Sequence, residues 1–164
     1  MKLRLLALAI LSVLLVAKTA QAEAVRLPAS GDPAFVVDLP DGWMHRVDDG
    51  GNLILGAPDH SAAFSLSIFE YSGALDDAAV GVMKAAKAGP PQNTGPAEVS
   101  SYRGYIYDSA IVNDAGVKFN LHCLMVKLDT AHVASLSMIT GADDSPEEYA
   151  AARVVLNGVT LTGK

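Results

Sequence analysis

A single cysteine, Cys123, stands in 164 residues. No disulfide can close within the chain, which removes the stapled secreted scaffolds. Cys123 sits in the apolar run Phe119-Asn120-Leu121-His122-Cys123-Leu124-Met125-Val126, so a buried, inert thiol is expected. Nucleophile motifs are missing too. There is no Gly-x-Ser-x-Gly, and the serines of Ser61–Ser67 and Ser135–Ser137 alternate as strand residues do. No Gly-rich strand-to-helix junction is present to cradle a phosphate. Cations are scarce. Lys2, Arg4 and Lys18 account for 3 of the 12 basic residues and precede Glu23, whereas all 18 acidic residues lie from Glu23 onward. The chain from Glu23 on therefore carries 9 basic against 18 acidic side chains, a formal charge of −9. Nucleic acid and anionic membrane surfaces should repel it, and a basic partner or a cation would be drawn to it.

What is present begins with an export pattern. Met1-Lys2-Leu3-Arg4 is a basic start, Leu5 to Val16 is apolar apart from Ser12, and Ala20-Gln21-Ala22 ends in the small-residue pattern of a signal peptidase site. The apolar run is shorter than the roughly 20 residues that span a bilayer. Residues 1–22 thus read as a signal peptide cleaved after Ala22, with no cysteine there for lipid attachment. The expected product is periplasmic, without a stable membrane anchor. Residues 23–32 read as an N-terminal lead and 33–164 as one domain, a common single-domain size.

Strand patterns dominate the domain. Ala34–Leu39 is apolar and β-branched, and Pro40-Asp41-Gly42 makes a turn. Trp43–Val47 and Asn52–Gly56 flank the tight turn Asp48-Asp49-Gly50-Gly51. In Ser61–Tyr71, Phe64, Leu66 and Ile68 share one face, and Ser65, Ser67 and Phe69 the other. The period then changes to 3.6. Leu75, Ala79, Val82, Met83 and Ala86 form a helical stripe with Asp76 and Asp77 at its start, and Gly89-Pro90-Pro91 should stop it. Gln92–Pro96 reads as a polar loop. A three-stranded meander over Tyr102–Val112, Val117–Leu128 and His132–Thr140 follows. Ser145-Pro146-Glu147-Glu148 opens a capped helix that Asn157-Gly158 ends, and Val159–Thr162 is a short strand or a tail. The order ββββαβββα implies an α+β fold with a curved, largely antiparallel sheet flanked by helices.

Several of these strings are familiar together. They are Leu39-Pro40-Asp41-Gly42-Trp43, Leu53-Ile54-Leu55 followed by Ala57-Pro58, Leu75-Asp76 opening a helix, and the Pro146-Glu147-Glu148 helix ending in Val155-Leu156-Asn157-Gly158-Val159. Over residues 33–160 the chain resembles the PsbP-like fold, which includes extrinsic photosystem subunits and DcrB-type bacterial envelope proteins. The resemblance implies a binding, assembly or adaptor protein rather than an enzyme. It carries over no catalytic set, and the lack of a lipobox departs from the lipoprotein members.

Metal-ligating patterns are weak. His122 and Cys123 are adjacent and face opposite sides of a strand. With the turn centred near Thr130, position 122 pairs with about 138, which keeps His122 away from His132. His45 with Asp48 or Asp49, and Asp59 with His60, are easier geometries, yet turn formation explains them. Asp143-Asp144-Ser145 lacks the spacing of an EF-hand loop. No catalytic, cofactor or metal residues are assigned. The candidate interaction surface is Trp43, His45, Asp48, Asp49, Tyr105 and Tyr107, an acidic turn and a tyrosine row of the kind found at interfaces, although such a row is more often ordinary strand filling. The expected function is a non-enzymatic exported adaptor that binds an envelope or periplasmic protein. A basic partner would make it an acidic inhibitor or immunity-type protein. The alternative is a carrier of a small apolar ligand, or a metal-dependent assembly factor.

Overall fold

A computed structural model describes residues 23–143 and 155–163. The export pattern of residues 1–22 and most of the helix expected from Ser145 lie outside them. The chain runs β1 (Glu23–Leu27), β2 (Phe35–Leu39), β3 (Met44–Val47), β4 (Leu53–Gly56), β5 (Ala62–Glu70), α1 (Leu75–Ala85), β6 (Asn93–Val99), β7 (Tyr102–Val112), β8 (Lys118–Lys127), β9 (His132–Gly141) and β10 (Val159–Leu161). The fold is α+β and its described strand pairings are antiparallel. The strands divide between a three-stranded sheet, β1-β2-β10, and a seven-stranded sheet, β3-β4-β5-β9-β8-β7-β6.

Two strands lie where the sequence suggests none. β1 falls inside the expected lead and pairs with β2 from Glu23↔Leu39 to Leu27↔Phe35. Only Leu27 of its five side chains is buried, so its periodic signal is faint. β6 replaces the expected loop at Gln92–Pro96 and pairs with β7. It holds Gly95 and Pro96, residues that argue against a strand, but it is the last strand of its sheet. An edge tolerates a proline because no second neighbour needs its missing N–H. At the other end of the chain, Val159–Leu161 is a strand rather than a tail and pairs with β2.

Alternation along the strands builds two cores. On one face of the large sheet, Leu53, Leu55, Phe64, Leu66, Val126, Leu136 and Met138 pack against Phe35, Val37, Leu39, Val159 and Leu161 of the small sheet. On the opposite face, Tyr107, Leu121, Cys123, Met125 and Val133 pack against Ala78, Ala79 and Met83 of α1. The large sheet is therefore the middle of three layers. α1 follows the expected stripe, with Ala78, Ala79 and Met83 buried and Asp76 and Asp77 in its first turn. It ends earlier than Gly89: Lys87 takes the left-handed conformation (φ 56°), and the Ala88 N–H bonds to the Met83 carbonyl. A left-handed residue closing a helix is common, although glycine usually fills the position.

Gly104 joins β7 to β8 at close range. A Cβ there would lie 1.8 Å from the Met125 carbonyl oxygen, so no other residue fits without moving the strand. The register of the meander agrees with the sequence estimate: His122 lies opposite Met138, and Cys123 opposite Ser137.

Candidate functional site

The six candidate surface residues separate into two groups at opposite ends of the large sheet. Trp43, His45, Asp48 and Asp49 belong to β3 and its flanking turns, at one edge. Tyr105 and Tyr107 belong to β7, next to the other edge. Trp43 is half-buried, with its ring 5.9 Å from that of Phe64. His45 is exposed, and its Nε2 is 3.9 Å from the Glu23 carboxylate, an ion pair between β3 and β1 when the imidazole is charged.

Asp48 is a turn residue in its contacts. Its Oδ1 accepts from the backbone N–H of Gly50 at 3.0 Å and of Asn52 at 2.8 Å, and the Asn52 side-chain amide reaches both oxygens. The Asn52 side chain, more than any other contact, holds the Asp48 carboxyl below its ordinary range. Asp49, beside it, is exposed. The tyrosines share a face and an aromatic contact of 6.4 Å, yet their surroundings differ. Tyr105 is 46% exposed and Tyr107 only 2%. α1 covers Tyr107, whose hydroxyl donates to Asp76 at 2.6 Å. Burial first, and that carboxylate second, push the Tyr107 phenol well above its usual value. Tyr107 is thus a core residue rather than part of an open interface.

The histidines do not converge. His122 Nδ1 is 2.8 Å from Asp108, its cross-strand neighbour, and His132 Nδ1 is 2.9 Å from Asp129. Asp129 also accepts from the backbone N–H groups of Ala131 and His132; the Ala131 bond leads in lowering its carboxyl pKa. His60 occupies a left-handed turn position after Asp59. Among the described residues no group of three His, Cys, Asp or Glu side chains could hold a metal ion. Cys123 is buried, and burial pushes its thiol up, away from the reactive thiolate.

Sequence reasoning missed a concave site. α1 packs on β7 and β8. Beside it, above β5 and β9, lies a half-open groove of about 560 Å³. Its floor is a square of four serines. Ser65 faces Ser137 and Ser67 faces Ser135 across the β5–β9 ladder. Gly81, Val82, Ala85 and Ala86 of α1 form one wall, and the Gly50-Gly51-Asn52 turn forms part of the other. Phe69 and Tyr71 lie toward one end, Leu121 and Ile139 toward the other. A more open hollow of about 620 Å³ lies beside the β6–β7 edge, lined by Leu75, Arg103 and Tyr105 among others. The alternation of serines in the sequence marked the floor. Which element covers it was not legible there.

The three layers, the antiparallel large sheet and the helix α1 beside it make the fold PsbP-like. Among solved structures, the chain is similar to cyanobacterial PsbP (CyanoP) from Synechocystis sp. PCC 6803, with a TM-score of 0.59 at 11% identity over 90% of this chain and 96% of that one. It is likewise similar to LpqN of Mycobacterium tuberculosis, a protein involved in cell envelope biogenesis, with a TM-score of 0.55 at 16% identity over 87% and 91%. A Bacteroides thetaiotaomicron structure matches with a TM-score of 0.52 at 13% identity over 79% of this chain, which spans only 46% of that one. No protein-family model and no curated protein matches the sequence. No helix among the described residues is long and apolar enough to cross a membrane.

Proposed function

We propose that this is an exported cell-envelope protein that acts by binding another exported protein rather than by catalysis. The observation that carries this reading is the β3 edge. All four side chains of β3 are exposed, Met44 by 56% and Val47 by 59%, and among the described residues β3 pairs only with β4. An outermost strand with an open ladder and apolar side chains is a ready template for strand addition by a partner. Residues 1–22 carry the pattern of a cleaved export signal, and a fold shared with an envelope-biogenesis protein supports the same compartment. The charge of −9 from Glu23 on favours a basic partner, as an acidic inhibitor or immunity-type protein would have.

The test is capture of an envelope protein from extract at low and high salt. One protein retained at low salt and released at high salt is expected. Val47→Pro, which removes an N–H on the open edge, and Asp49→Lys should each lower its capture at least tenfold. Asp49 is the cleaner charge probe because Asp48 holds the turn. Capture unchanged by both variants would reject the β3 edge as the contact.

A further inference from the structure

We infer that the groove beside α1 binds an uncharged long-chain lipid that carries a hydroxyl or ester oxygen partway along its chain. This goes beyond protein binding at β3 and uses different side chains. Four hydroxyls line the floor with hydrogen-bonding capacity that the protein hardly uses. Ser135 is 1% exposed and Ser137 8%, yet the side-chain partner of each is the Cys123 sulfur, at 3.5 and 3.4 Å. A thiol is a weak donor and a weak acceptor. The Ser65 and Ser67 hydroxyls, half-buried on the same floor, make no side-chain hydrogen bond among the described residues. Buried or half-buried hydroxyls without good partners call for a ligand group that supplies them.

The shape and polarity of the groove select the ligand. From Tyr71 to Ser65 the floor runs along β5 for about 20 Å at the rise of an extended strand. Its volume of about 560 Å³ lies in the range of small-molecule sites. A site of that length and volume suits one extended chain. Apolar side chains occupy both ends, Phe69 and Tyr71 at one and Leu121 and Ile139 at the other, with the serine pairs between them. The complementary molecule is apolar at its ends and oxygenated in its middle. Among the described residues Asp77 is the one charged side chain of the lining and no cation is there to neutralise an anionic head group, and the net charge of the domain opposes one. Serine hydroxyls donate and accept, which suits an alcohol or an ester equally.

The probe is methyl 12-hydroxystearate, offered to the purified protein below its aggregation concentration and counted by equilibrium dialysis and native mass spectrometry. One molecule per chain should bind. Methyl stearate, which lacks the hydroxyl, and 12-hydroxystearate, which is anionic, should each bind at least fivefold more weakly. Gly81 faces the groove and a Cβ there meets nothing within 4 Å, so Gly81→Leu fills the site without a clash. That variant should lose at least tenfold in affinity while keeping or raising Tm, because leucine favours a helix over glycine. The double variant Ser65→Ala, Ser67→Ala should erase the preference for the hydroxylated ester. No saturable binding, binding untouched by Gly81→Leu, or equal binding of the anionic acid would each overturn the assignment.

Discussion

The α1-facing surface of the large sheet changes character near the boundary between β8 and β9, with Val133 and Leu121 shared across it, and its two halves are built by opposite rules. On the β7–β8 side, Tyr107, Leu121, Cys123 and Met125 meet the buried side chains of α1. One strand over, the same face continues as Ser137 and Ser135, and then as Ser65 and Ser67 on β5. The backbone is equally regular in both halves. What differs is how the surface is closed: by packing, which demands volume, or by a groove, which demands room and hydrogen-bonding groups. The lesson is that strand alternation tells which face a side chain takes but not what lies above it. A covered half should respond strongly to changes of shape and an open half weakly.

The strongest way to break the contrast is Gly104→Ala. Its Cβ cannot coexist with the Met125 carbonyl at 1.8 Å, so β7 must part from β8 at that point. A loss of about 4 kcal/mol, at the top of the usual range for single substitutions, should appear in urea unfolding. Next comes a matched pair. Met83→Ala empties the middle of the covered half and should cost about 3 kcal/mol. Ser67→Ala in the open half should stay within about 0.5 kcal/mol. Similar losses for the two would show that the halves are not energetically distinct.

A loss smaller than that at Met83 sharpens the boundary itself. Tyr107→Phe removes the hydrogen bond to Asp76 and should cost about 1.5 kcal/mol at neutral pH, since the acceptor is a carboxylate. The phenol is raised in the folded state, so its contribution is fully present below the unfolded value of 10.0 and fades as pH climbs past it. The wild type should therefore lose stability in alkali more steeply than Tyr107→Phe. Identical alkaline profiles by thermal melts would place the Tyr107 hydroxyl in solvent rather than in the covered half. At the acid end the sign reverses. Contacts that lower Asp48, Asp59 and Asp129 stabilise the fold above the ordinary carboxylate value of 3.8 and are lost as pH falls below it.

Much of this architecture could be read from residue order. The split faces of β5, the stripe of α1 and the pairing of position 122 with 138 all follow from periodicity and turn placement. β1 and β6 escaped because their strand character comes from a neighbour rather than from their own pattern. β1 buries one side chain in five, and β6 carries Gly95 and Pro96. The tyrosine row showed the matching weakness: Tyr105 and Tyr107 look equivalent two residues apart, and only the position of α1 separates them. The groove needed the same missing information, since nothing local to Ser65, Ser67, Ser135 or Ser137 states where the helix comes to rest.

The small sheet sets a timetable. Phe35 in β2 is flanked by Leu27 of β1 on one side and Leu161 of β10 on the other. β1 can meet β2 early in a chain made from its N-terminus, but β10 arrives only after the whole large sheet has been synthesised. Until then β2 lacks one of its two hydrogen-bonded neighbours, and the core between the sheets lacks Val159 and Leu161. Pairings this distant in sequence form slowly, because loop closure comes before the contacts that reward it. The nascent protein thus stays incompletely closed while most of its length is already available, the state that the export proposed for it would require.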